Sequence, residues 1–162
     1  MKIAIITDSH DNIDYFKKFV EMVKQQKIDT VIHCGDLVAP FMIQFLVESD
    51  LTFYLTSGNN TGDLDMLWPR LKGTKINYYP RLGEIELAGK KIAFTHFPDF
   101  AELMAASGKY DYVFYGHTHI KVDKKIGNTL LINPGELTNL RTKGSFVILD
   151  LESGKYEFID LN

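Results

Sequence analysis

A chain of 162 residues with 45% hydrophobic and 24% charged residues is long enough to bury about 70% of the surface its unfolded form exposes, and these fractions exclude extended disorder and membrane spanning. A formal net charge of -3 excludes a broad basic surface for nucleic acid or anionic lipid, so any phosphate recognition must be local. The single cysteine, Cys34, excludes an internal disulfide and fits a reducing compartment.

The first apolar run, Lys2 to Thr7, reads as a strand covered on both faces. It is cut too early by Asp8-Ser9-His10-Asp11-Asn12 to be a signal peptide, and a cytoplasmic location is expected. Asn12 suits the cap of a helix in which Ile13, Phe16, Phe19, Val20 and Val23 recur at helical spacing as core residues. Asp29 to His33 is a second short apolar strand, again ending in a polar turn, Cys34-Gly35-Asp36. Pro40 suits the first turn of a helix through about Val47, and Leu51 to Thr56 is a third strand ending in Ser57-Gly58-Asn59-Asn60. Strands joined by helical crossovers imply parallel units whose ligands gather at the carboxyl ends of the strands, where Asp8, His10, Asp36 and Asn59 all fall. Between Thr61 and Gly73, Leu64, Leu67, Trp68 and Leu71 have the spacing of a short helix interrupted by Pro69.

Beyond Ile76 the texture shifts towards hairpins. Glu84 to Leu87 alternates polar with apolar, Ala88-Gly89-Lys90 turns, and Lys91 to Thr95 returns as a strand ending at His96. Pro98 to Ser107 is expected as a helix with Phe100, Leu103 and Met104 inward. Tyr112-Val113-Phe114-Tyr115 then leads into Gly116-His117-Thr118-His119, where a strand delivers two imidazoles to one edge. Further strands are expected over Val122 to Ile126, Leu130 to Asn133, Ser145 to Leu151 and Lys155 to Ile159, with the loop Pro134-Gly135-Glu136 among them. No linker or repeat interrupts the chain, so one domain over residues 1–162 is expected, of α/β class: two β-sheets forming a sandwich flanked by helices.

Singly, each polar strand end has an ordinary explanation as a turn, cap or hydrogen-bonded residue. Together, Asp8 and His10, Asp36, Asn59, His96, and His117 and His119 offer carboxylates, one amide oxygen and imidazoles, a donor set that suits two adjacent borderline cations better than calcium. His33, within a strand, reads as a packed histidine, Arg141 as a solvated arginine that could reach a phosphate, and Lys121, Lys124 and Lys125 as a solvated strand face.

The ordered series Asp-x-His, Gly-Asp, Gly-Asn, His and Gly-His-x-His, with Asn133-Pro134-Gly135, resembles the calcineurin-like metallophosphoesterases, in particular their compact bacterial and archaeal phosphodiesterase branch, over residues 2 to about 151. The resemblance implies that Asp8, His10, Asp36 and His119 hold one divalent metal and Asp36, Asn59, His96 and His117 a second, with Asp36 shared by both. Manganese is the first expectation for both, with nickel, cobalt, zinc or iron as alternatives. It further implies hydrolysis of small phosphodiesters by a hydroxide between the two metals. Where the family usually has His or Cys after the motif Asn, this chain has Asn60, which can donate a hydrogen bond to the leaving oxygen but no usable proton. Phe97 stands where the family commonly has Gly after the lone His. Because the retromer subunit of this fold also lacks that His, the competing reading is a metal-binding protein-interaction scaffold; the complete ligand set speaks for the enzyme. A polynucleotide substrate would need a basic groove that the charge does not supply.

Overall fold

Apolar residues that alternate along the central strands, with helices between them, produce a layered structure in which those strands serve two cores. The computed structural model describes residues 1–60 and 62–161. In chain order the elements are β1 (Lys2–Ile6), α1 (Ile13–Gln25), β2 (Thr30–His33), α2 (Met42–Glu48), β3 (Thr52–Thr56), α3 (Leu64–Leu71), β4 (Ile76–Tyr79), β5 (Leu82–Leu87), β6 (Lys90–Thr95), α4 (Pro98–Ala106), β7 (Tyr112–Phe114), β8 (Lys121–Ile126), β9 (Thr129–Pro134), β10 (Ser145–Asp150) and β11 (Tyr156–Asp160). They form a six-stranded sheet, ordered β11-β10-β1-β2-β3-β4, and a five-stranded sheet, ordered β5-β6-β7-β9-β8. The mixed α/β fold of two sheets flanked by helices agrees with the sequence reading.

Alternation along β1 shows how the layers are specified. Ile3 and Ile5 join Ile32, Phe94, Phe114 and Val147 in the core between the sheets, whereas Ala4 and Ile6 join Phe16, Phe19, Phe53 and Phe146 under the helices. Full burial of each aromatic contributes roughly 1.5–3 kcal/mol. Asn12 caps α1 by accepting from the Tyr15 amide at 3.2 Å, and Phe16, Phe19 and Val23 are its buried stripe.

Several expectations need correction. The second helix begins at Met42 rather than near Pro40: the Ala39 and Pro40 carbonyls accept from the Met42 and Ile43 amides, which makes a tight turn before the helix. β4 was not expected. It is a four-residue edge strand just before Pro80, too short for its own periodicity to show, and is recruited by parallel pairing of Ile76 with Phe53 and Asn77 with Tyr54. In α4, Phe100 and Leu103 are exposed at 54% and 69%, and only Met104 of the expected inward set is partly buried. The helix instead turns Ala101 and Ala105 onto Ala93, Val113 and Leu131, since small residues let it approach the sheet closely. The expected third helix forms as α3 with Pro69 inside it; Thr61 and the side chains of Leu64 and Trp68 lie outside the described residues.

Parallel register sets the position of the site. Ile6 pairs with His33 and His33 with Leu55, so the loops after β1, β2 and β3 leave one edge of the first sheet side by side. Phe94 pairs with Phe114 and Phe114 with Ile132, which does the same for the loops after β6, β7 and β9 in the second sheet.

Candidate metal centre

At that shared edge the backbone turns sharply to bring side chains inward. Asp8, His10, Asp36, His117 and His119 all have positive φ, from 39° at His10 to 71° at His117. Such conformations cost of order 1–3 kcal/mol each and persist only where their surroundings fix them. Here the Asp8 amide donates to the Gly35 carbonyl at 3.0 Å and the His10 amide to the Asp36 carbonyl at 3.0 Å, which ties the first two loops together. The buried Asn133 side chain donates to the Gly116 carbonyl at 2.9 Å and to Thr118 Oγ1 at 3.0 Å, clamping the loop of the two histidines. Two glycines allow the loops to approach: a β-carbon on Gly58 would lie 1.9 Å from Asp36 Oδ1, and one on Gly116 1.9 Å from Thr7 Oγ1.

The carboxylates and imidazoles converge at this edge. Asp8, fully buried, has Oδ2 held by Thr7 Oγ1 at 2.8 Å and by the His117 amide at 3.0 Å, while Oδ1 faces His119 Nε2 at 3.3 Å and His10 Nε2 at 3.6 Å. Asp36 stands between two imidazoles, with Oδ2 3.6 Å from His10 Nε2 and Oδ1 3.5 Å from His96 Nε2. Asn59 Oδ1 lies 2.9 Å from His96 Nε2 and 2.8 Å from His117 Nδ1. The ligand atoms of Asp8, His10 and His119 lie within 4.8 Å of one another, as do those of Asp8, Asp36 and His96.

The donor set fits divalent cations on an independent observation. Asp8 Oδ1 and His10 Nε2 are buried with no hydrogen-bond partner among the described residues. A buried acceptor left in this state costs about 1–3 kcal/mol, and a cation between such atoms satisfies them all. His96 Nδ1 contacts the Cys34 carbonyl at 2.9 Å; a proton there leaves the Nε2 lone pair facing Asn59 and Asp36. Burial works to raise the Asp8 carboxyl pKa, but the contacts with His10, His96, Thr7 and His119 hold it below the ordinary value. The contact with Asp8 raises His10, against burial.

Asn60 lines the cavity but is turned onto a carboxylate: its backbone amide donates to Asp36 Oδ1 at 2.8 Å and its side-chain amide to Asp36 Oδ2 at 2.7 Å. The Phe97 ring packs beside His117, with centroids 5.9 Å apart, and its backbone precedes Pro98 at the start of α4. Arg141 is exposed, as read, and with Leu140 also lines the cavity of about 200 Å³ that holds His10, Asp36, Asn59, His117 and His119. A larger hollow of about 390 Å³, bordered by Arg81, Phe100, Leu103 and Tyr110, has neither carboxylate nor imidazole in its lining.

His33 is the packed histidine it was read to be, bonded to Ser9 Oγ at 2.9 Å and accepting from the Gly35 amide at 3.2 Å. Sequence reasoning passed over Glu136 as a loop residue. It is fully buried and its carboxylate meets His119 Nδ1. The one available signal was that it follows the carboxyl end of β9, the same edge that carries every other site residue.

A two-sheet sandwich that gathers this donor set at one edge is the architecture of a metal-dependent phosphoesterase. The chain belongs to the calcineurin-like phosphoesterase superfamily, whose domain model matches residues 1–154. It is 36% identical to a phosphodiesterase of Methanocaldococcus jannaschii, with 99% of each chain aligned. Among solved structures it is similar to a novel archaeal phosphodiesterase, at 34% identity and a TM-score of 0.91 over 99% of this chain and 100% of that one. The fold alone is shared with the Vps29 protein of Chaetomium thermophilum, at 18% identity and a TM-score of 0.70 over 98% and 95% of the two chains.

Proposed function

We propose that this protein is a cytoplasmic phosphodiesterase, acting as one domain over residues 1–162, that hydrolyses small phosphodiesters with two divalent cations, manganese by preference and nickel, cobalt, zinc or iron as alternatives. The observation that carries this reading is the pair of buried, unpartnered ligand atoms, Asp8 Oδ1 and His10 Nε2, facing further imidazoles and Asp36 at one sheet edge. Asp8, His10, Asp36 and His119 hold one cation, Asp36, Asn59, His96 and His117 the other, and Asp36 serves both, as its position between His10 and His96 permits. When bound, the pair supplies charge to neutralise the phosphate oxygens and lowers the pKa of a water, so that hydroxide is available near neutrality.

The chain's own residues do the rest. Arg141 at the rim offers a guanidinium to a phosphate oxygen that projects from the cavity. Asn60 holds Asp36 in place with both of its amides and has no acid to give a leaving group. The small cavity and the acidic net charge of -3 support a small substrate over a polynucleotide. Against a pure scaffold stands the complete donor set, which protein docking does not need.

Elemental analysis and anomalous diffraction with excess Mn²⁺ are expected to show two cations flanking Asp36, and Asp36→Asn to weaken both. The diester bis-p-nitrophenyl phosphate is expected to turn over faster than p-nitrophenyl phosphate. An absence of metal near Asp36 would overturn the reading, and a faster monoester would overturn the diester preference.

A further inference from the structure

The loop after β9 buries a carboxylate where none is needed for packing. Glu136 is 0% exposed, and its two oxygens divide their work. Oε1 accepts from the backbone amides of Arg141 at 2.7 Å and Thr142 at 2.5 Å; Oε2 accepts from Thr138 Oγ1 at 3.0 Å and meets the Nδ1 face of His119. An ionised carboxylate is an acceptor only. His119 Nδ1 must therefore carry a proton, which in the neutral imidazole leaves the Nε2 lone pair bare on the opposite side of the ring, 3.3 Å from Asp8 Oδ1. The same carboxylate shapes the segment 137–142, which brings Arg141 to the cavity, and Thr142 Oγ1 closes that segment by donating to the His119 carbonyl at 2.9 Å.

We propose that Glu136 is a positioning residue for the metal centre: it fixes the His119 imidazole in the tautomer that presents Nε2 to a cation, and through the Arg141 and Thr142 amides it locks the same loop against that ring. The proposal rests on the metal reading of the site. Its chemistry distinguishes Glu from its isostere. In Glu136→Gln the two backbone amides need an acceptor and hold the remaining oxygen, so the side-chain NH₂ faces His119 Nδ1. Nδ1 must then become an acceptor, the proton moves to Nε2, and the ring loses the lone pair it needs for ligation.

The test begins on the metal-free wild type. Nitrogen NMR of histidine-labelled protein, well above the ordinary histidine pKa of about 6.5, reads the tautomer directly. The expected result is His119 protonated on Nδ1, moving to Nε2 in Glu136→Gln. Mn²⁺ titration of the variant is then expected to show one site weakened about 10–100-fold with the other retained, the range typical of losing a carboxylate behind a ligating histidine. A wild-type proton on Nε2 overturns the proposal without any variant, and an unchanged isotherm or equal weakening of both sites in Glu136→Gln overturns it as well. If the wild type shows the expected tautomer but binds no Mn²⁺, the metal reading of the site falls, and the proposed positioning role falls with it.

Discussion

Acid is expected to loosen the metal loops through His33. This histidine is fully buried and joins Ser9, which lies between Asp8 and His10, to Gly35 beside Asp36. Burial pushes its pKa down from 6.5 to about 4, against the opposing pull of Asp8 and Asp36. Because the folded value lies below the unfolded one, the unfolded chain binds the extra proton first. The stability that depends on neutral His33 is therefore complete above about pH 6.5 and is lost as pH falls towards about 4. At about 1.4 kcal/mol for each pH unit between the two values, the loss reaches about 3 kcal/mol, a large share of the 5–15 kcal/mol typical of a domain. Urea unfolding of metal-free wild type and His33→Gln, from about pH 7 to about pH 4.5, isolates the effect, since the other groups titrate in both proteins. The wild type should lose about 2 kcal/mol more than the variant over that window. Parallel stability curves would refute the reasoning and mean that His33 takes up its proton without leaving the fold.

Two further predictions test other surfaces of the fold. Asn60→His should raise kcat/KM on a 2′,3′-cyclic nucleotide at least about tenfold more than on bis-p-nitrophenyl phosphate, because only the poor leaving group needs a proton, and general acids contribute about 10²–10⁴-fold; equal changes on both substrates would remove position 60 from the leaving-group role. Ala101→Leu should destabilise by about 1–3 kcal/mol through overpacking against the sheet, whereas Leu103→Ser on the exposed side of α4 should stay within about 0.5 kcal/mol, as read from denaturation midpoints. The reverse order would restore the inward face expected from the hydrophobic pattern.

The contrast between α4 and the strand ends explains what could be read from the chain alone. Helical spacing of Phe100, Leu103 and Met104 looks like a core stripe, but a helix lying close on a sheet can bury a stripe of alanines instead, and the two patterns share one period. β4 was silent for a related reason: its four residues are ordered by their partner β3, not by their own alternation. The strand ends were legible because a buried run that stops at Asp8, Asp36, Asn59, His96 or His117 has no packing reason to stop there. Glu136 escaped because its role depends on a contact with His119 and on amides further along the chain, and no sequence spacing records which way a loop carboxylate turns.

Backbone conformation adds an argument that residue identity alone does not supply. A glycine at Asp8, His10, Asp36, His117 or His119 would relieve a left-handed turn that costs a β-carbon residue of order 1–3 kcal/mol. At each of these positions, however, the side chain points at the cavity or its buried wall, so relief of the backbone would remove a candidate metal donor. The glycines fall elsewhere, at Gly58 and Gly116, where a β-carbon would collide with Asp36 and Thr7. Strain is thus carried at these five positions, and at Asp11 and Val38 beside them, where φ is 57° and 76°. The loops are held in that shape by neighbouring carbonyls and by Asn133. Asp8 and Asp36 bring like charges close together in this assembly, so a cation between them is expected to stabilise these turns as well as to supply the proposed chemistry.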